Sequence, residues 1–183
     1  MLLICALIVA GGVAVGFILF GHSKQKQKES TPVDYNKPLP SEAELRHRLT
    51  REQYHVTREN GTETAFHNSY WDNSRAGLYV DIITGEPLFS SVDKFDSQNG
   101  RPNFSKPIAK AHIVEKPDNS FDMQRTEVRA NKSDSHLGHL FKDESSPTGL
   151  RYTVNSAALR FIPVEKLEEE GYRDFLSLFE QKQ

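Results

Sequence analysis

From Met1 to Phe20 the chain carries 17 hydrophobic residues and three glycines, with no charge. At about 1.5 Å rise per residue, such a run makes a helix about 30 Å long, the thickness of a bilayer's hydrocarbon core. The pattern predicts a transmembrane anchor over residues 1–21, so the membrane is the first expected partner. A cleaved signal peptide fits less well. Nothing basic precedes the run, the run is long, and Gly21-His22-Ser23 is a poor cleavage site. Lys24, Lys26 and Lys28 follow, opposed only by Glu29, which by the positive-inside tendency places the body of a single-pass membrane protein on the cytoplasmic side. Residues 22–40 are polar, hold Pro32, Pro38 and Pro40, show no apolar period, and read as an extended tether.

The pattern changes at Ser41. Ser41 and Glu44 have capping-box spacing, and Leu45 and Leu49 share a face, so a short helix is predicted near 41–50. The helical period then disappears until the C-terminus. Short apolar runs take its place: Gly77–Val80, Pro87–Phe89, Ser120–Met123, Arg151–Val154 and Leu159–Ile162, punctuated by Thr84-Gly85, Asn99-Gly100 and Thr148-Gly149. This predicts antiparallel sheets rather than βαβ units, which need longer helical spacers. Glu165–Glu170 stops at Gly171, and Tyr172, Phe175, Leu176 and Phe179 follow at helical spacing.

Charge and cysteine content narrow the chemistry. Twenty-three Lys+Arg against 25 Asp+Glu leave a formal charge of −2, so no nucleic-acid partner is expected. The one cysteine is Cys5. Residues 6–183 therefore contain no thiol nucleophile, dithiol pair or thiolate metal cluster. His136-Leu137-Gly138-His139 is the most suggestive pair, with Asp134 and Asp143 nearby. As a metal site it lacks a secure third ligand, and Gly138 argues against both imidazoles sharing one helix face. The pair is left as either a proton-transfer or anion-binding site or two structural, hydrogen-bonded histidines. Arg125, Arg129, Arg151 and Arg160 fall at or near strand positions, where a guanidinium fork holds a carboxylate or a sulfoxide-like oxygen, or forms a structural ion pair. Asn60-Gly61-Thr62 fits the glycosylation sequon.

Six stretches, in order and at the usual spacing, carry a resemblance. They are Tyr54–Glu63, Gly77–Asp81, Gly85–Ser91, Arg125–Val128, Asp134–Phe141 and Asn155–Phe161. Together they resemble the type B methionine-R-sulfoxide reductases over about residues 41–180. The resemblance implies a mainly β domain over 41–183, with two antiparallel sheets and short flanking helices, in which the His-Leu-Gly-His strand faces the substrate. It also implies methionine-sulfoxide-containing proteins as partners, in the context of protein repair under oxidative stress, and no cofactor.

The departures fall on the chemistry. In the family a cysteine or selenocysteine follows the Arg-Tyr pair, attacks the sulfoxide sulfur, and is restored through a second thiol and thioredoxin. Here Arg151-Tyr152 is followed by Thr153. Asn99 stands at a common resolving position, and Arg101 replaces the tryptophan that packs on the substrate's methyl group. The structural zinc positions of some members hold Asp81, Thr84, Ala130 and Ser133, so this copy resembles the zinc-free branch and no metal is expected. What remains of the implied catalytic set is His136, His139, Asp143, Arg151 and Asn155, with Asn99, Arg101 and Phe104 expected on a substrate-binding rim. A threonine hydroxyl is far less acidic than a thiol and has no sulfenic-acid counterpart. Thr nucleophiles depend on an adjacent base. The residues thus predict a membrane-anchored family member that has lost thiol catalysis, acts as a binding or scaffolding module, and does not engage thioredoxin. The alternatives are a working reductase by another route, or other chemistry at His136 and His139.

Overall fold

Two consecutive capping boxes start the first helices of the domain. Ser41 accepts from the Glu44 amide while the Glu44 carboxylate takes the Ser41 N–H, and Thr50 and Gln53 repeat the exchange. They start α1 (Glu42–Arg48) and α2 (Arg51–Glu59). The computed structural model describes residues 30–180. The predicted membrane helix and the start of the tether lie outside the described residues, and among those described no helix is long and apolar enough to cross a membrane. α2 was not expected from the sequence. Its buried side chains are Tyr54, Val56 and Thr57, a set too short in hydrophobic residues to show a helical stripe. Asn60 ends it in the left-handed conformation.

The strands are β1 (Gly77–Asp81), β2 (Pro87–Ser90), β3 (Lys94–Phe95), β4 (Asn103–Phe104), β5 (Ile113–Asp118), β6 (Arg125–Ala130), β7 (His136–Lys142), β8 (Leu150–Val154) and β9 (Leu159–Pro163). They form two sheets, ordered β2-β1-β9 and β3-β4-β8-β7-β6-β5, and every pairing is antiparallel. The mainly β reading with two antiparallel sheets and short helices is therefore what the chain adopts. Ser120–Met123, expected as a strand, is instead a 3-10 turn over Ser120–Asp122. Asp118 accepts from the Ser120 amide, and Asp122 has φ +54°, so the chain reverses there.

Tyr79, Phe89, Phe104 and Tyr152 are the large side chains between the sheets, all fully buried. Phe104 stacks on Phe89 at 4.5 Å and meets the Tyr79 ring edge-on at 5.0 Å. A second cluster joins Leu78, Val80 and Ile162 to Leu167, Tyr172, Phe175, Leu176 and Phe179. The C-terminal apolar spacing thus faces the sheet as expected. The backbone there is broken into 3-10 turns at Val164–Lys166 and Arg173–Phe175 and a short α3 (Ser177–Glu180). Residues 30–36, the end of the expected tether, run against the body: the Val33 amide donates to the Gly171 carbonyl, and the Lys132 ammonium lies 4.4 Å from the Tyr35 ring centroid.

Removing the Phe104 ring leaves a cavity between the sheets. Phe104→Ala should cost about 3–5 kcal/mol of unfolding free energy, measurable by urea denaturation. A loss below about 1 kcal/mol, the size of an ordinary surface effect, would contradict the packing described.

Candidate functional site

One row of side chains crosses the larger sheet. Glu127 lies opposite His139, His139 opposite Thr153, and Thr153 opposite Asn103. Directly opposed residues in antiparallel strands share a face, with Cβ atoms about 4.5–5.5 Å apart, so β6, β7, β8 and β4 each present one residue to a common polar surface. Phe104, opposite Tyr152, points to the other face. Its expected place on the rim is thus corrected by strand alternation: Asn103 faces the site and Phe104 belongs to the core.

Alternation in β7 would also separate His136 from His139. It does not, because Val128 pairs with Gly138 while the next residue, Arg129, pairs with His136. Leu137 is an extra residue, a β-bulge that shifts the parity of the strand. Leu137 enters the core, fully buried, while both histidines emerge on the Glu127 face with ring centroids 5.5 Å apart. Gly138 makes this possible. It has φ +154°, and a Cβ there would lie 2.1 Å from the Thr153 carbonyl oxygen.

Each histidine is backed by a carboxylate and an arginine. His136 Nδ1 meets Glu127 Oε1 at 2.6 Å, and Arg129 Nη1 holds that same oxygen at 2.6 Å. His139 Nε2 meets Asp118 Oδ2 at 2.7 Å, and Arg125 Nη2 reaches it at 2.7 Å. Burial would raise the Glu127 carboxyl, but hydrogen bonds from His136 and Arg129 outweigh it and hold the group below the usual carboxylate value. Hydrogen bonds from Ser120, and then from His139, hold Asp118 well below that range. Arg129 also donates to Asn60 Oδ1 at 2.7 Å, so the sequon residue serves as a joint between α2 and β6.

The Thr153 hydroxyl uses its whole hydrogen-bonding capacity within the protein. It donates to Asn103 Oδ1 at 2.8 Å, and it accepts from Arg151 Nη1 at 2.8 Å and from Asn99 Nδ2 at 3.4 Å. Asn99 and Asn103 exchange two further amide bonds, each of 3.0 Å. Asp143 fixes Arg151 Nε at 2.7 Å, and hydrogen bonds from Ser145 hold its carboxyl below the ordinary value. Arg151 also lies over the Phe141 ring at 4.8 Å.

Arg101 and Asn155 join the site through Glu63. Arg101 Nη2 donates to the Glu63 carbonyl at 2.9 Å, and the Glu63 amide donates to Asn155 Oδ1 at 3.2 Å. Asn155 Nδ2 donates to the Leu137 carbonyl at 3.1 Å. The side chain is buried, bracing the β7 bulge rather than opening onto the surface. The Glu63 carboxylate accepts from the Ser156 and Ala157 amides at 2.6 and 2.9 Å. The structure thus brings His136, His139, Arg151 and Thr153 onto one face, with Asn99 beside them and Asp143 behind Arg151. Asn103, Glu127, Asp118 and Glu63 complete it without having been singled out. Glu127 was recoverable from its alternation with Arg125; Asp118, in a polar turn sequence, gave no signal.

Among the described residues no group of three or more His, Cys, Asp or Glu side chains is arranged to hold a metal. Asp81, Thr84, Ala130 and Ser133 supply a carboxylate, two hydroxyls and a methyl, which do not fit zinc. Thr84 instead donates to Asp81 Oδ2 through both its amide, at 3.0 Å, and its hydroxyl, at 2.7 Å.

Burial keeps His136 neutral, its pKa below the ordinary 6.5. A base depressed in this way binds fewer protons folded than unfolded as the pH drops below about 6.5. Its contribution to stability is whole above that value and is lost as the pH falls toward the folded pKa. The melting temperature should therefore fall between about pH 7 and pH 5, and less steeply in His136→Asn. Equal slopes in the two proteins would count against a buried neutral imidazole.

The SelR domain family matches residues 49–163. A peptide methionine sulfoxide reductase MsrA/MsrB of Vibrio cholerae serotype O1 is 54% identical over 140 residues, covering 76% of this chain and 37% of that protein. The chain thus spans little more than a third of the curated relative's length. With its strand order, its bulged histidine strand and its Thr153 row in view, the chain belongs to the SelR family, the type B methionine-R-sulfoxide reductases.

Proposed function

We propose that this domain binds methionine-R-sulfoxide side chains of proteins without reducing them, from a membrane-anchored position. The observation that carries the reading is the state of the Thr153 hydroxyl. Its proton is given to an amide oxygen, Asn103 Oδ1, and both lone pairs receive donors. An amide oxygen is no general base, so the group nearest the reacting position of the family is neither deprotonated nor poised to attack. A hydroxyl also lacks the sulfenic-acid rung through which a thiol carries oxygen away from a sulfoxide.

The retained donors support binding. A sulfoxide oxygen is a strong acceptor, and Arg151 brings a guanidinium to the Thr153 face of the sheet. Arg101 adds a guanidinium tied to Glu63. Residues 6–183 hold no thiol for a thioredoxin cycle, so no exchange with thioredoxin is part of the function. The cytoplasmic placement rests on the three lysines after the apolar run.

The full chain should bind a short peptide carrying methionine-R-sulfoxide and give no turnover above background with dithiothreitol or thioredoxin. Thr153→Cys should recover a weak dithiothreitol-dependent reduction, since a thiolate can form the sulfenic acid while no second thiol resolves it. Robust turnover by the unmodified chain would overturn the reading, as would the absence of peptide binding.

A further inference from the structure

Met123 is the only methionine after Met1, and it is 47% exposed. Its place in the fold is specific. Met123 has extended backbone at the entrance to β6, and alternate residues of an extended chain share a face. Arg125 and Glu127 share the side on which Glu127 meets His136 and Arg125 meets Asp118, and the extended Met123, two residues earlier, leads into that side. Met123 stands about 7 Å along the strand from Arg125.

Beside Met123 runs a second row, parallel to the one through Thr153. Asp118 pairs with Arg125, and Phe141 pairs with Arg151. The β6–β7 register, carried one step beyond Thr126 and Leu140, sets Arg125 opposite Phe141. This row offers two guanidiniums flanking an aromatic ring, with Arg151 already over that ring. The turn bearing Met123 is tied to it: the Met123 amide donates to the Ser120 carbonyl, and the Ser120 hydroxyl accepts from Arg125 Nη2 at 3.0 Å. A thioether so placed is apolar and idle there. A sulfoxide would bring an acceptor oxygen to two guanidiniums and a methyl group to a phenyl ring.

We propose that Met123 is an oxidation site whose sulfoxide is held in cis by Arg125, Phe141 and Arg151, so that the oxidised domain occupies its own binding face. The oxidant is hydrogen peroxide. One oxygen passes to the sulfur, the S–O bond forms as the O–O bond breaks, the sulfur loses two electrons, and water leaves. The occlusion rests on the binding function proposed above; the modification and its contacts do not. A ligand tethered two residues from its site acts at an effective concentration in the millimolar range, enough to compete with a weakly bound peptide.

The test treats the full chain and Met123→Leu with hydrogen peroxide and maps the added oxygen by peptide mass spectrometry. It then records the Arg125 and Arg151 Nε–H and Phe141 ring signals by NMR, with binding of the sulfoxide peptide before and after. Expected are one oxygen on Met123, shifts of all three reporters that do not depend on protein concentration, and peptide affinity reduced about tenfold. Met123→Leu should show none of these. Failure of Met123 to oxidise, shifts confined to residues 122–124, or shifts that grow with protein concentration would overturn the cis assignment. If the peptide binds neither form, the binding function falls, and the NMR shifts still decide the fate of this inference.

Discussion

The extra residue in β7 sets the parity of everything on the polar face of the larger sheet. With Leu137 bulged out of register against β6, Leu137 drops into the core and His136 and His139 rise together above Glu127 and Arg129. The bulge depends on the close approach of β7 and β8 at Gly138, where any side chain would run into the Thr153 carbonyl. It depends also on Asn155, whose backbone and side-chain N–H groups both close on the Leu137 carbonyl. Residues far apart in sequence therefore serve one local distortion. Glu63 acts at one remove, linking Asn155 to Arg101 through its backbone and capping the turn after β8 with its carboxylate.

On that frame most of the polar groups are paired, the buried His136 Nε2 being an exception. Two Arg–carboxylate–His chains stand side by side, and the Thr153 hydroxyl sits in a ring of Arg151, Asn99 and Asn103. Buried or half-buried polar groups of this kind are stable when each donor finds an acceptor. The Thr153 proton meets an amide oxygen, Asn103 Oδ1, and no basic atom.

Much of this was legible in the residues. Capping chemistry announced α1, apolar runs between turn residues announced the three strands of the smaller sheet, and the single cysteine at position 5 leaves residues 6–183 without a thiol. Other features escaped for physical reasons. α2 buries a threonine in place of a third hydrophobe, so its stripe was too thin to read. Asp122 adopts a left-handed conformation that broke an apparently apolar strand. The bulge at Leu137 is invisible to a period-two pattern, so alternation alone separates His136 from His139, and only the resemblance put them at one site. Alternation within β8 fixes the face of Thr153 but not the register of its neighbour β4, so Phe104 was expected where Asn103 stands.

The central claim, that the Thr153 hydroxyl is a structural member of the sheet face, is tested most directly by a double-mutant cycle for stability. Thr153→Val keeps the shape and removes the hydroxyl, Asn103→Ala removes its acceptor, and the double variant closes the cycle. The account predicts a coupling of about 0.5–1.5 kcal/mol between the two sites by chemical denaturation, the size of one net hydrogen bond. A coupling indistinguishable from zero would mean that the hydroxyl is not engaged with Asn103, and would contradict the account.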